Sequence, residues 1–305
     1  MPVNTTVCIL LSTYNGEKYL EEQLQSIFSQ TYWSYCTLFV RDDGSKDGTL
    51  AILKKYEAEG KLILSEGENI GFVKSFFWLI KNAPDCDYYS FADQDDVWKR
   101  DKIEHGVKIL EANKCNLSLL YFSDYAIIDG QGKSVNKHYI SQQIKPSFFN
   151  AMTLNQASGF TMLFNRILRD SLITIVPEKG QYHDYWVYLY ANAFGKVLYD
   201  SFICAEYRRH SNNESETSIR GFALFNNRVK RFFINNSGNS FAGTLAPFRK
   251  YFYERLSVQN KKILDLFCSS LSLKSSISKT FFPARYRNKL FEDIAIRILF
   301  LLRRM

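Results

Sequence analysis

From residue 7 to residue 122 the chain alternates short apolar runs with amphipathic ones, and no other feature constrains its fold as strongly. VCILLS (7–12), CTLFVR (36–41), KLILS (61–65), YYSFA (88–92) and LSLLYF (117–122) read as strands. Between them EKYLEEQLQSIFSQ (17–30), DGTLAILKKYEAEG (47–60), GFVKSFFWLIKNA (71–83) and DKIEHGVKILEAN (101–113) carry the helical period. In the first of these helices Leu20, Leu24, Ile27 and Phe28 share a face; in the last, Ile103, Val107 and Leu110 do. Gly60 and Pro84 act as stops. Such alternation predicts an α/β fold, a Rossmann-like, mostly parallel sheet flanked by helices on both faces. Ligands of such sheets bind just outside the carboxyl ends of the strands. The segments STYNG (12–16), DDGSKDG (42–48), EGENIG (66–71) and DQDD (93–96) are therefore expected on one surface.

Beyond residue 125 the alternation breaks. YAIIDGQGKSV reads as a hairpin with a glycine turn, and ASGFTMLFNRIL (157–168) mixes strand and helix signals. DYWVYLYANAFG (184–195) reads as a helix ended by Gly195, and KVLYDSFICAEYRRH (196–210) as strand. Polar SNNESETS (211–218) marks a boundary between a domain of residues 1–218, in halves of about 1–125 and 126–218, and a helical extension of 219–305. Charge follows that boundary. Residues 221–305 hold 16 of the 39 Lys/Arg and 4 of the 31 Asp/Glu, a local +12, while the rest of the chain is −4. An anionic partner is expected for the extension alone. The six cysteines form no CxxC and have no histidine at zinc spacing, so they read as reduced, buried thiols of a cytosolic protein. VCILLS is too short for a signal peptide, and no apolar run approaches the roughly 18 residues of a spanning helix.

YYSFADQDDVWKRDKI (88–103) runs a strand into three carboxylates, Asp93, Asp95 and Asp96. Strand geometry puts Asp93 and Asp95 on one side. Two like charges so close stay ionised cheaply only with a cation between them. Hard divalent ions, Mg²⁺ or Mn²⁺, favour a few carboxylate oxygens completed by phosphate and water, so this D-x-D suits a metal-diphosphate. The plainer reading is a polar loop in which Asp96 begins or caps the helix near 101. In VRDDGSKDGT (40–49), turn and cap chemistry accounts for Gly44, Ser45 and Asp47 but not for the Asp42–Asp43 pair, whose carboxylates suit a nucleobase imide or a ribose hydroxyl. Thr13, Tyr14 and Asn15 offer a hydroxyl, a ring and an amide, a set suited to a base and sugar. Neither G-x-G-x-x-G nor G-x-x-x-x-G-K-[ST] follows any strand, which excludes dinucleotide-fingerprint and P-loop readings.

Taken together, ILLSTYNGEKYLEEQLQSIFSQTY, FVRDDGSKDGT, ENIGFVKSFF, FADQDDVW and HDYW…YRRHSNN resemble glycosyltransferase family 2, inverting enzymes of GT-A-type fold. Within that family they are similar to bacterial rhamnosyltransferases of surface polysaccharides. The resemblance spans about residues 5–215 and implies that the first half of the domain holds a nucleotide sugar and the second an acceptor. It implies nucleotide contacts from Thr13, Tyr14, Asn15 and Asp43, and from Asp93 beside ribose and metal. Asp95 is the implied metal ligand and Asp184 the catalytic base. Lys74 is a candidate donor contact; Arg208, Arg209 and His210 are candidate diphosphate contacts. From the residues alone, Asp184 also reads as an N-cap of its helix and Lys74 as a solvated face.

The expected reaction is a metal-dependent single displacement that moves a sugar, rhamnose from dTDP-rhamnose in the first instance, onto a lipid-linked glycan with inversion. A UDP-hexose donor with the same mechanism, a metal-dependent nucleotidyltransferase and an inactive scaffold are the competing readings. Sugar nucleotidyltransferases carry an N-terminal glycine-rich loop that STYNGEKY lacks, and a decayed site has little reason to keep mutually repelling acids. FEDIAIRILFLLRRM (291–305) puts Phe291, Ile294, Ile298, Leu301 and Leu302 on one helical face beside Arg297, Arg303 and Arg304, and FNNRVKRFFINN (225–236) interleaves basic and aromatic residues. Basic amphipathic helices suit an anionic leaflet, here the inner face of the plasma membrane, although the same pattern serves packing on the catalytic domain. No nucleic-acid motif accompanies the charge.

Overall fold

The computed structural model describes residues 5–139, 144–173, 182–210, 241–269 and 272–303. The boundary at 211–218, the basic stretch 225–236 and Arg304 lie outside these. Two compact units are present: residues 1–141, 157–176 and 181–208 form the first, and 142–156, 177–180 and 209–305 the second.

The first unit opens with the anticipated alternation: β1 (Val7–Thr13), α1 (Glu17–Phe28), β2 (Cys36–Asp42), α2 (Thr49–Ala58), β3 (Ile63–Glu66), α3 (Phe72–Asn82) and β4 (Tyr88–Ala92). A two-residue β5 (Val97–Trp98), too short to carry a pattern, precedes α4 (Lys102–Ala112). There follow β6 (Ser118–Asp129), β7 (Ser134–Tyr139), β8 (Leu163–Asn165), α6 (Arg166–Leu172), α7 (His183–Phe194) and β9 (Gly195–Arg209). The sheet order is β3-β2-β1-β4-β8-β6-β9-β5, with β7 on β6. Its parallel character is confined to β1–β4; the described pairings β4–β8, β6–β8, β6–β7 and β5–β9 are antiparallel. The sheet is thus α/β as expected, with a parallel half and an antiparallel half.

Period-2 strands separate two layers. Val7, Ile9 and Leu11 of β1 pack with Leu20, Leu24 and Ile27 of α1, Leu53 of α2, and Ile103, Val107 and Leu110 of α4. The opposite face of β4 presents Phe91 to Phe76 of α3 (ring centroids 5.4 Å) and to His183 of α7 (4.8 Å). Each fully buried aliphatic side chain contributes about 1.5–3 kcal/mol, so α1 is held by its inward stripe rather than by local propensity. No cysteine is disulfide-bonded among the described residues; Cys8, Cys86 and Cys204 are buried and Cys115 is exposed.

The second unit comprises α5 (Phe148–Ala151), α8 (Phe241–Phe252), α9 (Val258–Cys268), α10 (Leu273–Thr280) and α11 (Leu290–Leu301). An aromatic core joins them: Phe149 stacks on Phe282 at 4.0 Å, and Tyr286 meets Phe149 at 4.7 Å and Phe300 at 5.2 Å. Buried Asp293 accepts from the Tyr286 and Arg287 amides and from Arg297 Nε (2.8 Å). Arg297 also donates to the carbonyls of Thr280, Phe282 and Ala284. This corrects the expectation that Arg297 flanks an outward apolar face: its guanidinium is spent on closing the α10–α11 connection. The face itself is as read from the sequence. Phe291, Ile294, Ile298, Leu301 and Leu302 are 49–54% exposed, while Ile296, Leu299 and Phe300 turn inward.

Leu24→Ala is expected to lower the unfolding free energy of the first unit by about 2–5 kcal/mol in denaturant titrations. Leu117→Ala, at a half-exposed position, should change it by less than about 0.5 kcal/mol. Equal effects would contradict the placement of α1 on the sheet.

Candidate active site

The carboxyl ends of β1, β2 and β4 converge, and their loops are tied together by side chain-to-backbone bonds. Four successive amides after β1 are taken by side chains from elsewhere. Tyr14 N donates to Gln94 Oε1 (2.9 Å), Asn15 N to Ser45 Oγ (2.9 Å), Gly16 N to Thr49 Oγ1 (2.8 Å) and Glu17 N to Asp47 Oδ2 (3.1 Å). These include the first amide of α1, that of Glu17, which no intrahelical carbonyl can satisfy. Asn15 adopts φ 48°, a left-handed conformation that asparagine tolerates, and its Oδ1 accepts from Lys46 N. The structure leaves the Tyr14 and Asn15 side chains exposed. Thr13 is instead buried, with Oγ1 donating to Asp42 Oδ1 (3.0 Å).

Asp43 is also buried. Its carboxylate accepts from the Ile70 and Gly71 amides (2.9 Å each) and from the Arg41 guanidinium, which clips the 66–71 loop to the end of β2. Gly71, at φ 84°, gives that loop its turn into α3. Lys74 lies on the exposed side of α3.

The acids after β4 are gathered as the sequence suggested. Burial, with Asp95 and Asp184 close enough to repel it, pushes Asp93 up to about 7. Asp96 is fully buried and raised well above the usual carboxylate range by burial and by Asp95 and Asp93. Two groups that sequence reasoning did not assign to this cluster partly offset it, the Lys102 ammonium and the Arg208 amide. Lys102 is buried, lies 3.4 Å over the Trp98 ring and donates to the Phe160 carbonyl; burial lowers it to about 8 despite Cys204, Asp96 and Asp93. Arg208, read as a candidate diphosphate contact, is placed behind the acidic loop. Its amide donates to Asp96 Oδ1 (3.1 Å), Nε to the Asp95 carbonyl (3.0 Å) and Nη2 to Glu22 (2.6 Å). Arg209 ends β9 and His210 follows it; both are half-buried and fall to the second unit. No local sequence signal marks Lys102, or the bonds that Arg208 makes here, because each is defined by partners distant in the chain.

Asp184 sits in the first turn of α7, but the N-cap position belongs to Tyr182 and makes no side-chain cap bond. The reading of Asp184 as a routine N-cap is therefore not what the backbone shows. Its neighbour His183 stacks on Phe76 at 4.0 Å, and burial lowers it to about 3, so it stays neutral and packs rather than moves protons. Asp184 remains half-buried and near enough to Asp93 to raise it, which unites the α7 carboxylate with the β4 cluster.

Among the described residues no group of three or more His, Cys, Asp or Glu side chains is arranged to hold a metal unaided. The chemistry of the donor set nonetheless fits a hard divalent cation completed by a ligand. Asp93 and Asp95 could supply carboxylates, Asp96 Oδ2 has no hydrogen-bond partner among the described residues, and diphosphate and water normally fill the remaining positions.

The profile of the family described as Glycosyl transferase family 2 matches residues 8–175. The dTDP-rhamnosyl transferase RfbG of Shigella flexneri is 29% identical over 225 residues, covering 68% of this chain and 74% of that protein. The crystal structure of S. aureus TarS in complex with UDP-GlcNAc is similar in fold, with a TM-score of 0.58 and 17% identity across 97% of this chain and 89% of that one. A mannosyltransferase of Pyrobaculum calidifontis, solved with GDP-Man and Mn²⁺, gives a TM-score of 0.50 at 16% identity over 98% of this chain and 86% of that one.

The raised Asp93 fixes the sign of a pH effect. The unfolded chain loses this proton near the ordinary carboxylate value of about 4, the folded chain near 7. Asp93 therefore costs no stability at low pH, and its cost grows from about pH 4 until it levels off above about pH 7. Without divalent ions, Asp93→Asn should unfold at a higher temperature than wild type at about pH 8, with the gap closing below about pH 4. A gap independent of pH would contradict the clustering.

Proposed function

The chain belongs to glycosyl transferase family 2, and on that premise we propose that it is an inverting, metal-dependent enzyme acting on a nucleoside diphosphate sugar. The observation that carries this reading is the electrostatic convergence of Asp184 with the β4 acids, beside a loop that exposes Tyr14 and Asn15. Tyr14 and Asn15 would receive base and sugar, with Thr13 and Asp43 as the buried frame of that loop. Asp93 and Asp95 would hold Mg²⁺ or Mn²⁺, as the cation solved with the Pyrobaculum calidifontis mannosyltransferase suggests. A cation bound there supplies Lewis-acid stabilisation of the leaving diphosphate.

In the proposed step an acceptor hydroxyl oxygen bonds to the anomeric carbon as the bond from that carbon to the diphosphate oxygen breaks. Asp184 takes the hydroxyl proton; the electron pair leaves with the diphosphate. Attack opposite the leaving group inverts the anomeric centre and needs no enzyme nucleophile. Lys102 and Arg208 stabilise the acidic loop from behind, and Lys74 is the exposed α3 cation on the donor side.

Rhamnose carried by dTDP is the donor we favour, supported by the similarity to RfbG. A UDP-hexose is the second reading, supported by the TarS structure with UDP-GlcNAc. The acceptor would be a lipid-linked glycan of a bacterial surface polysaccharide such as capsule or O-antigen. The outward apolar stripe of α11 supports peripheral attachment to an anionic membrane, on its cytoplasmic face. No helix among the described residues is long and apolar enough to cross one.

Asp184→Asn should keep nucleotide affinity within about twofold and lower transfer by about 10²- to 10⁴-fold, in assays pairing donor consumption with calorimetry. Asp95→Asn should instead lose the Mn²⁺-dependent part of nucleotide binding; full turnover by Asp184→Asn would remove it from the role of base. In flotation assays the chain should rise with phosphatidylglycerol vesicles, and Ile294→Ser/Ile298→Ser should largely abolish this. Equal flotation of the two would exclude the α11 stripe as the attachment.

A further inference from the structure

The residue between the two metal-site carboxylates points away from the metal chemistry and toward the nucleotide loop. Gln94 Oε1 accepts from Tyr14 N (2.9 Å) and Gln94 Nε2 donates to Tyr14 O (3.1 Å). A primary amide paired with both polar groups of one residue fixes the two peptide planes that flank its α-carbon. With them it fixes φ and ψ of Tyr14 and the direction in which its exposed ring leaves the backbone. The next residue, Asn15, is the one held at φ 48°.

The base of this clamp is rigid. The Asp93 carbonyl accepts from Gln23 Nε2 (2.9 Å) and the Asp95 carbonyl from Arg208 Nε (3.0 Å), so the peptide entering Gln94 is tied to α1 and the one leaving Asp95 to β9. Space for the amide is reserved by the sequence. A Cβ on Gly16 would stand 2.3 Å from Gln94 Oε1 and 2.6 Å from its Cδ. Gly16 itself has φ −104°, which any residue adopts, so the glycine is required by the amide and not by the backbone.

We propose that Gln94 is a positioning residue that holds the Tyr14 loop in its nucleotide-receiving shape before the nucleotide arrives. This rests on the reading of Tyr14 and Asn15 as the nucleotide loop. The gain is preorganisation: ordering of the loop is complete in the free enzyme and no longer subtracts from binding. The clamp acts on affinity for the nucleoside part, so its effect is independent of the cation, whereas the flanking carboxylates act through the diphosphate.

The test is a double-substitution cycle read by calorimetry with UDP and with dTDP, each with and without Mn²⁺. Gln94→Ala is expected to weaken the tighter-binding nucleotide about tenfold, the loss of two modest hydrogen bonds, by the same factor with and without Mn²⁺. Gly16→Ala should produce a similar loss in the wild-type background by expelling the amide, and almost none in the Gln94→Ala background. Tyr14→Ala should weaken binding and make Gln94→Ala silent. Additive losses from Gly16→Ala and Gln94→Ala, or a loss seen only with Mn²⁺, would overturn the clamp. An unchanged affinity in Gln94→Ala while Tyr14→Ala weakens binding would overturn the clamp alone; a silent Tyr14→Ala would overturn the nucleotide-loop reading with it. Hydrogen exchange on the unsubstituted chain adds a measurement free of folding defects. The Tyr14 amide should be protected without any nucleotide, and exchange at the rate of an open loop would contradict the proposal.

Discussion

Mutual repulsion among the carboxylates beyond β4 is the constraint around which the first unit is arranged. Asp93, Asp95 and Asp96 come within four residues, and α7 brings Asp184 close enough to add to the field. Buried or half-buried like charges raise the free energy of a fold steeply. The fold offsets part of this with the buried Lys102 ammonium and with the Arg208 amide, which donates to Asp96 Oδ1. The offset is incomplete, since Asp93 and Asp96 both remain raised. On the proposed reading a bound cation supplies the remainder, which would give an enzyme a reason to retain so costly a cluster.

The loops around that cluster share a second property. Many of their backbone amides are satisfied by side chains from other segments: Ser45, Thr49 and Asp47 serve the loop after β1, and Asp43 serves the loop before α3. A surface knitted in this way has few independent motions. The strand ends fix where each loop starts, and the side-chain bonds fix where it goes.

What was legible in the sequence followed from periodicity. The strands and helices through α4 fall within a few residues of their reading because each buries one regular stripe, as Leu20, Leu24 and Ile27 do on α1. β5 escaped because two residues cannot show a period; in the antiparallel half the β6–β7 hairpin and the β9 strand were legible, whereas the pairing of β8 with β4 and β6 was not, because strand pairing is a long-range property. The gathering of the D-x-D acids at the end of β4, beside the loop after β1, could be read from residue type and strand order. Roles set by distant partners could not. Arg208 seemed to face a ligand until its bonds to Asp95, Asp96 and Glu22 were seen, and Arg297 seemed to flank an outward face until Asp293 was found beneath it. Gln94 gave no signal of its bond to the Tyr14 backbone, since that partner lies 80 residues away.

The central claim is that the β4 acids are tolerated because a divalent cation and a nucleoside diphosphate neutralise them together. Anomalous diffraction from crystals grown with Mn²⁺ and UDP or dTDP tests this most directly. The account predicts one manganese peak bonded to Asp95, with the diphosphate completing its coordination and the base against Tyr14. A manganese peak elsewhere, or nucleotide density that leaves Asp93 and Asp95 without a cation, would contradict it.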